Sequence, residues 1–221
     1  MLITSRSAAE YRAMFDLTAG ELAAGSVLDC CAGGSSLTAE TAGRVLAVDP
    51  AYALGPRRLA ARVLAALADG DRIISAHADR FEWSWYGDPG RRHAIRTAAA
   101  RAFLTDLRRR PGRYVAGALP RLPLADASVD LVLCSHLLFT WSDRFGLDWH
   151  RRALAELIRV ARHEVRLFPL VVQGTGETVP FLETLRAELH GLGHRTRLCP
   201  VPYRFQRGAD EMLLVERAPS Q

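Results

Sequence analysis

The stretch Val27 to Pro50, VLDCCAGGSSLTAETAGRVLAVDP, decides the fold. Val27-Leu28-Asp29 ends a short apolar run, and Cys30 to Ser36 are all small residues. Leu37 to Ala42 fits a helix, and Arg44 to Val48 is a second apolar run closed by Asp49. The order strand, tight turn, helix, strand makes a βα unit feeding a parallel strand. Small side chains in the turn let a ligand approach the backbone. Asp49, about 20 residues after Asp29, stands where an acid accepts hydrogen bonds from ribose hydroxyls. A nucleoside-containing cofactor is therefore expected.

A nicotinamide site wants glycine at all three places of G-x-G-x-x-G, and here those places hold Cys31, Gly33 and Ser36. The stretch resembles instead motif I of the class I S-adenosylmethionine-dependent methyltransferases. In that motif an apolar pair, an acid and then G-x-G-x-G follow the first strand. Asp29 matches the acid and Gly33 the middle glycine, while Cys31 and Ser35 replace the outer two with small residues.

Residues 113 to 136 extend the resemblance. Arg113 to Gly117 reads as strand and turn, Leu122-Pro123-Leu124 as a linker, Asp126-Ala127-Ser128 as a turn, and Val129 to Cys134 as a strand ending at Ser135-His136. This order is similar to the family's V-x-G-D-x-x-x-L-P-F followed by D-x-S-F-D-L-V. The family's adenine-contacting acid falls on Ala118, so the resemblance implies adenine held by the backbone of Ala118 and Leu119 and by apolar packing. It further implies Asp29 at the methionine end, Asp49 at the ribose, Cys31, Gly33 and Gly34 as the backbone wall, and Ser135 at the strand-end rim. A run of Asp/Asn-Pro-Pro-Tyr/Phe, the mark of methylation at exocyclic or amide nitrogens, is replaced by Cys134-Ser135-His136-Leu137, which disfavours that chemistry. His136, just past a strand's carboxyl end, is the candidate general base; its ordinary pKa near 6.5 suits proton removal from a hydroxyl or amine. The other reading is a histidine that orients the cofactor or caps a helix.

The chain of 221 residues suits a single domain, with 49% hydrophobic and 24% charged residues in the globular range. No apolar run reaches the roughly 18 residues of a membrane span, and the first residues lack a signal-peptide core, so the expected compartment is the cytoplasm. Four cysteines make neither a disulfide framework nor a zinc pattern, and no metal is expected. All 29 basic residues are arginine, giving a net charge of +5. They are scattered apart from Arg108-Arg109-Arg110, which disfavours a nucleic-acid groove.

Along the chain, Ala8 to Leu22 has helical spacing of apolar residues, with Gly20 as an interruption; Tyr11 or Phe15 could cover a cofactor and Met14 and Leu17 pack on the sheet. After Asp49 some 60 residues precede the next strand. Gly55 to Ala68 and Arg92 to Arg110 read as helices, the second packed on the sheet, which leaves residues 51–91 as an insertion on the cofactor side. That insertion holds Phe81-Glu82-Trp83-Ser84-Trp85-Tyr86-Gly87-Asp88-Pro89, too aromatic for a free loop. Trp83, Trp85 and Tyr86 are either a lid walling the acceptor or a staple holding the insertion to the domain. His77 and Asp79 just upstream are further candidate polar groups. Trp149 to Arg162 is an amphipathic helix, Glu164 to Val172 a strand and Pro180 to Leu192 a helix. Arg195 to Phe205 and Glu211 to Glu216 make a terminal hairpin.

The expected fold is thus α/β, a Rossmann-like seven-stranded class I methyltransferase sheet ending in an antiparallel β-hairpin, over residues 1–221. The expected cofactor is S-adenosylmethionine and the expected reaction methyl transfer to an O, N or C nucleophile of a small molecule. An RNA or protein methyltransferase and a cofactor-binding module without turnover are the rival readings, and a homodimer is left open.

Overall fold

The computed structural model describes residues 3–219. Seven strands form one sheet: β1 (Ser26–Cys30), β2 (Arg44–Val48), β3 (Tyr114–Val115), β4 (Val129–Ser135), β5 (Ala161–Phe168), β6 (Arg195–Pro200) and β7 (Glu211–Glu216). Their order is β3-β2-β1-β4-β5-β7-β6. The first five run parallel, and β7 runs antiparallel to β5 and β6. A strand covered on both faces needs apolar residues in succession; accordingly Val27 to Cys30 and Leu131 to Ser135 are buried without a break. The seven-stranded sheet with its terminal hairpin is the one expected. Between β1 and β4 the strand order reverses direction, which opens a crevice at their carboxyl ends.

The N-terminal helix is two helices, α1 (Ala8–Phe15) and α2 (Ala19–Ala24), rather than one. Asp16 adopts a left-handed conformation (φ 47°) that stops α1, and Thr18 restarts the helix with a capping box to Glu21. Tyr11 and Phe15 lie in the core beside Leu133 and Phe168 instead of covering a cofactor. The short α3 (Leu37–Glu40) follows the motif turn.

Two 21-residue helices, α4 (Pro56–Ala76) and α5 (Pro89–Arg109), fill the space between β2 and β3. Each begins with proline in its first turn, where the missing N–H is not needed. α4 runs eight residues past the expected Ala68, through Gly70. Leu59 and Val63 of α4 join Ala100, Phe103 and Leu107 of α5 over Ala47 of β2. On the sheet's second half lie α6 (Leu147–Val160) and α7 (Leu182–Gly191). Leu154, Leu157 and Ile158 of α6 and Leu185 and Leu189 of α7 complete the main core with Val165 and Leu213.

β6 stops at Pro200 instead of reaching Phe205, because residues 201–205 leave the sheet to meet the insertion. Phe81 stacks on Phe205 at 4.6 Å between centroids, Trp83 meets the same ring edge-on at 5.5 Å, and Trp85 lies 5.2 Å from Tyr203. Tyr86 is fully buried, its hydroxyl 2.8 Å from that of Tyr203 and bonded to the Glu10 carboxylate. Glu10 also closes the capping box of α1 and ion-pairs with Arg96 at 2.9 Å. The aromatic stretch is therefore a staple between the insertion, α1 and the segment after β6.

Candidate active site

A cavity of about 890 Å3 opens at the carboxyl ends of β1, β2 and β4, and Cys31, Gly33, Asp49, Ser135 and His136 line it. Cys31 follows β1 and His136 follows β4, and both adopt left-handed backbone (φ 62° and 56°). Outside glycine this conformation costs on the order of 1–3 kcal/mol and persists where surrounding contacts over-determine it. Those contacts are visible: the Cys31 N–H donates to the Val48 carbonyl at 2.8 Å and the His136 N–H to the Phe168 carbonyl at 2.7 Å. Each turn is thus locked to the neighbouring strand at the crevice.

Asp49 lies at the end of β2 with its carboxylate at the cavity wall. One oxygen accepts from the Gly33 N–H at 2.9 Å and the other from the Ala51 N–H at 2.8 Å. Burial pushes its carboxyl pKa up to about 6, against the pull of those two backbone donors. A carboxylate offers about four acceptor sites, so two sites remain for a pair of ribose hydroxyls. Pro50, Ala51 and Leu54, the turn after Asp49, supply an apolar wall beside it. These features fit the nucleoside end of S-adenosylmethionine.

The rest of the expected cofactor wall is placed differently. Asp29 is fully buried and does not line the cavity; the Tyr11 hydroxyl donates to one of its oxygens at 2.8 Å, and the other has no partner among the described residues. Burial raises its pKa to about 7. Gly34 also stands behind the wall, because the chain's own residues 3–6 cross the turn: the Gly34 N–H donates to the Thr4 carbonyl at 3.0 Å. A Cβ on Gly33 (φ +59°) would come within 3.0 Å of that carbonyl, and one on Gly34 within 2.6 Å of the Ser5 hydroxyl. The small residues of the turn thus serve a backbone-to-backbone approach as well as a ligand. Ala118 and Leu119 are absent from the cavity wall, Leu119 packing in the core with Leu122 and Leu138. Trp83, Trp85 and Tyr86 do not line it either. From that stretch only Phe81 does, joined by Ile73, Ile74, His77 and Asp79 upstream.

His136 is half-buried, with Nδ1 2.7 Å from the Ser135 hydroxyl and its ring against Phe168. Its Nε2 has no protein partner among the described residues. Burial, then the guanidinium groups of Arg6 and Arg96, hold its pKa well below the ordinary value. The imidazole is therefore neutral at neutral pH and able to accept a proton, though as a weakened base.

One cluster was not legible in the sequence. Pairing of β1 with β4 sets Cys30 opposite Cys134, and with Cys31 the three sulfur atoms lie within 4.8 Å of one another. Cys134 is the most acidic of them, its thiolate favoured by hydrogen bonds from Cys30 and Cys31. No signal in the spacing of these residues foretold it, since the contact is made across strands.

Comparison with known proteins bears on this site directly. Residues 92–169, which hold most of α5 together with β3, β4, α6 and β5, match the family model described as a methyltransferase domain. The chain has the class I methyltransferase fold. The chain is 23% identical over 220 residues to the uncharacterized protein MJ0045 of Methanocaldococcus jannaschii, covering 98% of this chain and 96% of that protein. Among solved structures it resembles mitomycin 7-O-methyltransferase MmcR, with a TM-score of 0.51 and 16% identity over 96% of this chain and 53% of the other. A SAM-dependent methyltransferase from Aquifex aeolicus matches with a TM-score of 0.47 and 14% identity, over 95% of this chain and 93% of that one. Among the described residues of the chain, no helix is long and apolar enough to cross a membrane.

Proposed function

We propose that the protein transfers the methyl group of S-adenosylmethionine to an O, N or C nucleophile of a small molecule. The observation that carries this reading is a single cavity, at the carboxyl ends of β1, β2 and β4, that holds both Asp49 and the neutral His136. Bound there, the cofactor would supply a methyl group already activated by the sulfonium, open to displacement by the acceptor lone pair with a neutral thioether as the leaving group. Where the acceptor carries a proton, His136 Nε2 takes it and passes it to solvent.

The chain's own work is positional. Asp49 fixes the ribose through its two open acceptor sites, and Cys31 and Gly33 wall the cofactor's approach. Ser135 holds the His136 ring through Nδ1, so Nε2 is the atom left for the acceptor. The cavity's volume of about 890 Å3 falls in the range of small-molecule sites and leaves room for an acceptor beside the cofactor. Holding the two reactants in line and out of water is the principal source of rate in such a transfer. The test is incubation with methyl-labelled S-adenosylmethionine and a panel of small phenols, amines and acids. Label appearing in one acceptor, and disappearing with Asp49→Ala, supports the reading; label found only in added RNA or protein contradicts the small-molecule assignment.

A further inference from the structure

The charge on the cavity wall is one-sided. Arg6, Arg62, Arg80, Arg92, Arg96 and Arg207 line it, against the carboxylates of Asp49 and Asp79 alone. Arg62, Arg80 and Arg207 stand exposed at the rim. Arg92 and Arg96 are buried and Arg6 half-buried, and these three form a group: Arg96 lies close enough to both others to oppose their charge.

The counter-charges are unequally shared. Arg96 pairs with Glu10 at 2.9 Å, and its other head-group bonds go to the Ser5 carbonyl and the Tyr86 hydroxyl. Arg92 pairs with Asp71 at 3.1 Å and lies over the Phe205 ring at 5.2 Å. Arg6 has no carboxylate partner among the described residues, and its one side-chain bond is to the Thr4 hydroxyl at 2.6 Å. A guanidinium withdrawn from water without a counter-anion is costly unless a ligand provides one. The cofactor carries a single carboxylate against its own ammonium and sulfonium, so its binding adds net positive charge to a wall already cationic.

We propose that the acceptor carries an oxyanion, a carboxylate or a phosphate, and that Arg6 is the guanidinium that takes it, with Arg92 and Arg96 behind it and the rim arginines drawing it in. The group is planar and presents paired N–H donors, the geometry that grips two oxygens of one anion. The rim charges at the cavity mouth raise the local concentration of anionic molecules. Arg6 and Arg96 both act on His136, so an anion bound at Arg6 lies close to the candidate base. This inference rests on the function proposed above and adds the class of acceptor to it.

The test separates the two. The full chain is first titrated calorimetrically with S-adenosylhomocysteine, and the saturated complex is then titrated with phenyl phosphate, with benzoate and, as a neutral control, with benzyl alcohol. Heat from one or both anions but not from the alcohol, weakened about tenfold or more in Arg6→Gln, is the expected result; whichever anion binds more tightly names the headgroup. Arg80→Gln, at the exposed rim, is expected to weaken anion binding less and to make it less sensitive to salt. Equal binding of all three probes, or binding of none by a complex saturated with S-adenosylhomocysteine, overturns the inference and leaves the methyltransferase reading standing. Loss of S-adenosylhomocysteine itself in folded Arg6→Gln also overturns it, because Arg6 then holds the cofactor carboxylate. Failure of the wild-type protein to bind S-adenosylhomocysteine removes the function proposed above and this inference with it.

Discussion

The two halves of the insertion between β2 and β3 divide its labour in an unexpected way. Its aromatic half, Trp83 to Tyr86, faces Tyr203, Phe205 and Glu10 and contributes no wall to the cavity. Its helical half contributes Arg62, Ile73, Ile74, His77 and Arg80, most of them in or just after an amphipathic helix that reads as ordinary surface. A dense aromatic run is read most easily as a binding feature, yet large rings also bury the most area and are the cheapest way to fix a long excursion to a core. Charged residues on a helix face carry no such mark, and only the fold shows that they point at shared space.

The sharpest break of this comparison is Tyr86→Ala. Removing a fully buried ring, together with the hydroxyl that Glu10 and Tyr203 share, is expected to cost about 3–5 kcal/mol of stability, read from chemical denaturation. Retention of full stability would mean that the aromatic half is not a staple. Next in size is His136→Gln, expected to lower the methyl-transfer rate about a hundredfold with the affinity for S-adenosylmethionine unchanged. Because the His136 pKa lies well below its ordinary value, this residue imposes no loss of rate between pH 6.5 and 8. An acid limb at lower pH is expected in wild type and absent in the variant.

A pH-dependent effect is expected at Asp29. Its folded-state pKa of about 7 is raised by burial from the ordinary 3.8, so the folded protein binds the proton more tightly than the unfolded chain. The resulting stabilisation is present below about pH 4 and is lost as pH rises through 7. Asp29→Asn, which never ionises, should therefore gain relative to wild type as pH rises, by about 4 kcal/mol between pH 4 and 8. A pH-independent difference in thermal midpoint would contradict the assignment of a buried, half-satisfied carboxyl. Smallest of all is Trp83→Ala: its half-buried ring meets Phe205 edge-on, and about 1 kcal/mol is expected, with no change in acceptor binding. A large change in acceptor affinity there would restore the lid.

Much of the fold was legible because it depends on period and order. The apolar runs at Val27, Arg44 to Val48 and Val129 to Cys134 could only be buried parallel strands, and the last two strands read as a hairpin. Asp49 and His136 were legible as well, since each stands immediately after such a strand. What could not be read depends on distance in space. Arg6, Arg92 and Arg96 look like scattered surface charges until α5 and the N-terminal segment meet over the motif turn. The left-handed conformations of Cys31 and His136 have no signature in residues that usually avoid them. Asp29 matched a motif position yet lies beneath the wall rather than in it, because Tyr11 and residues 3–6 cover the turn. The resemblance could align positions, but it could not show which of them the rest of the chain would bury.

The central claim is that Asp49 holds a nucleoside whose methyl group is transferred, and calorimetric titration with S-adenosylmethionine and separately with NAD tests it most directly. The account predicts micromolar binding of S-adenosylmethionine, weakened about tenfold or more by Asp49→Ala, and no heat from NAD. Tight binding of NAD, or no binding of S-adenosylmethionine by the folded protein, would contradict it.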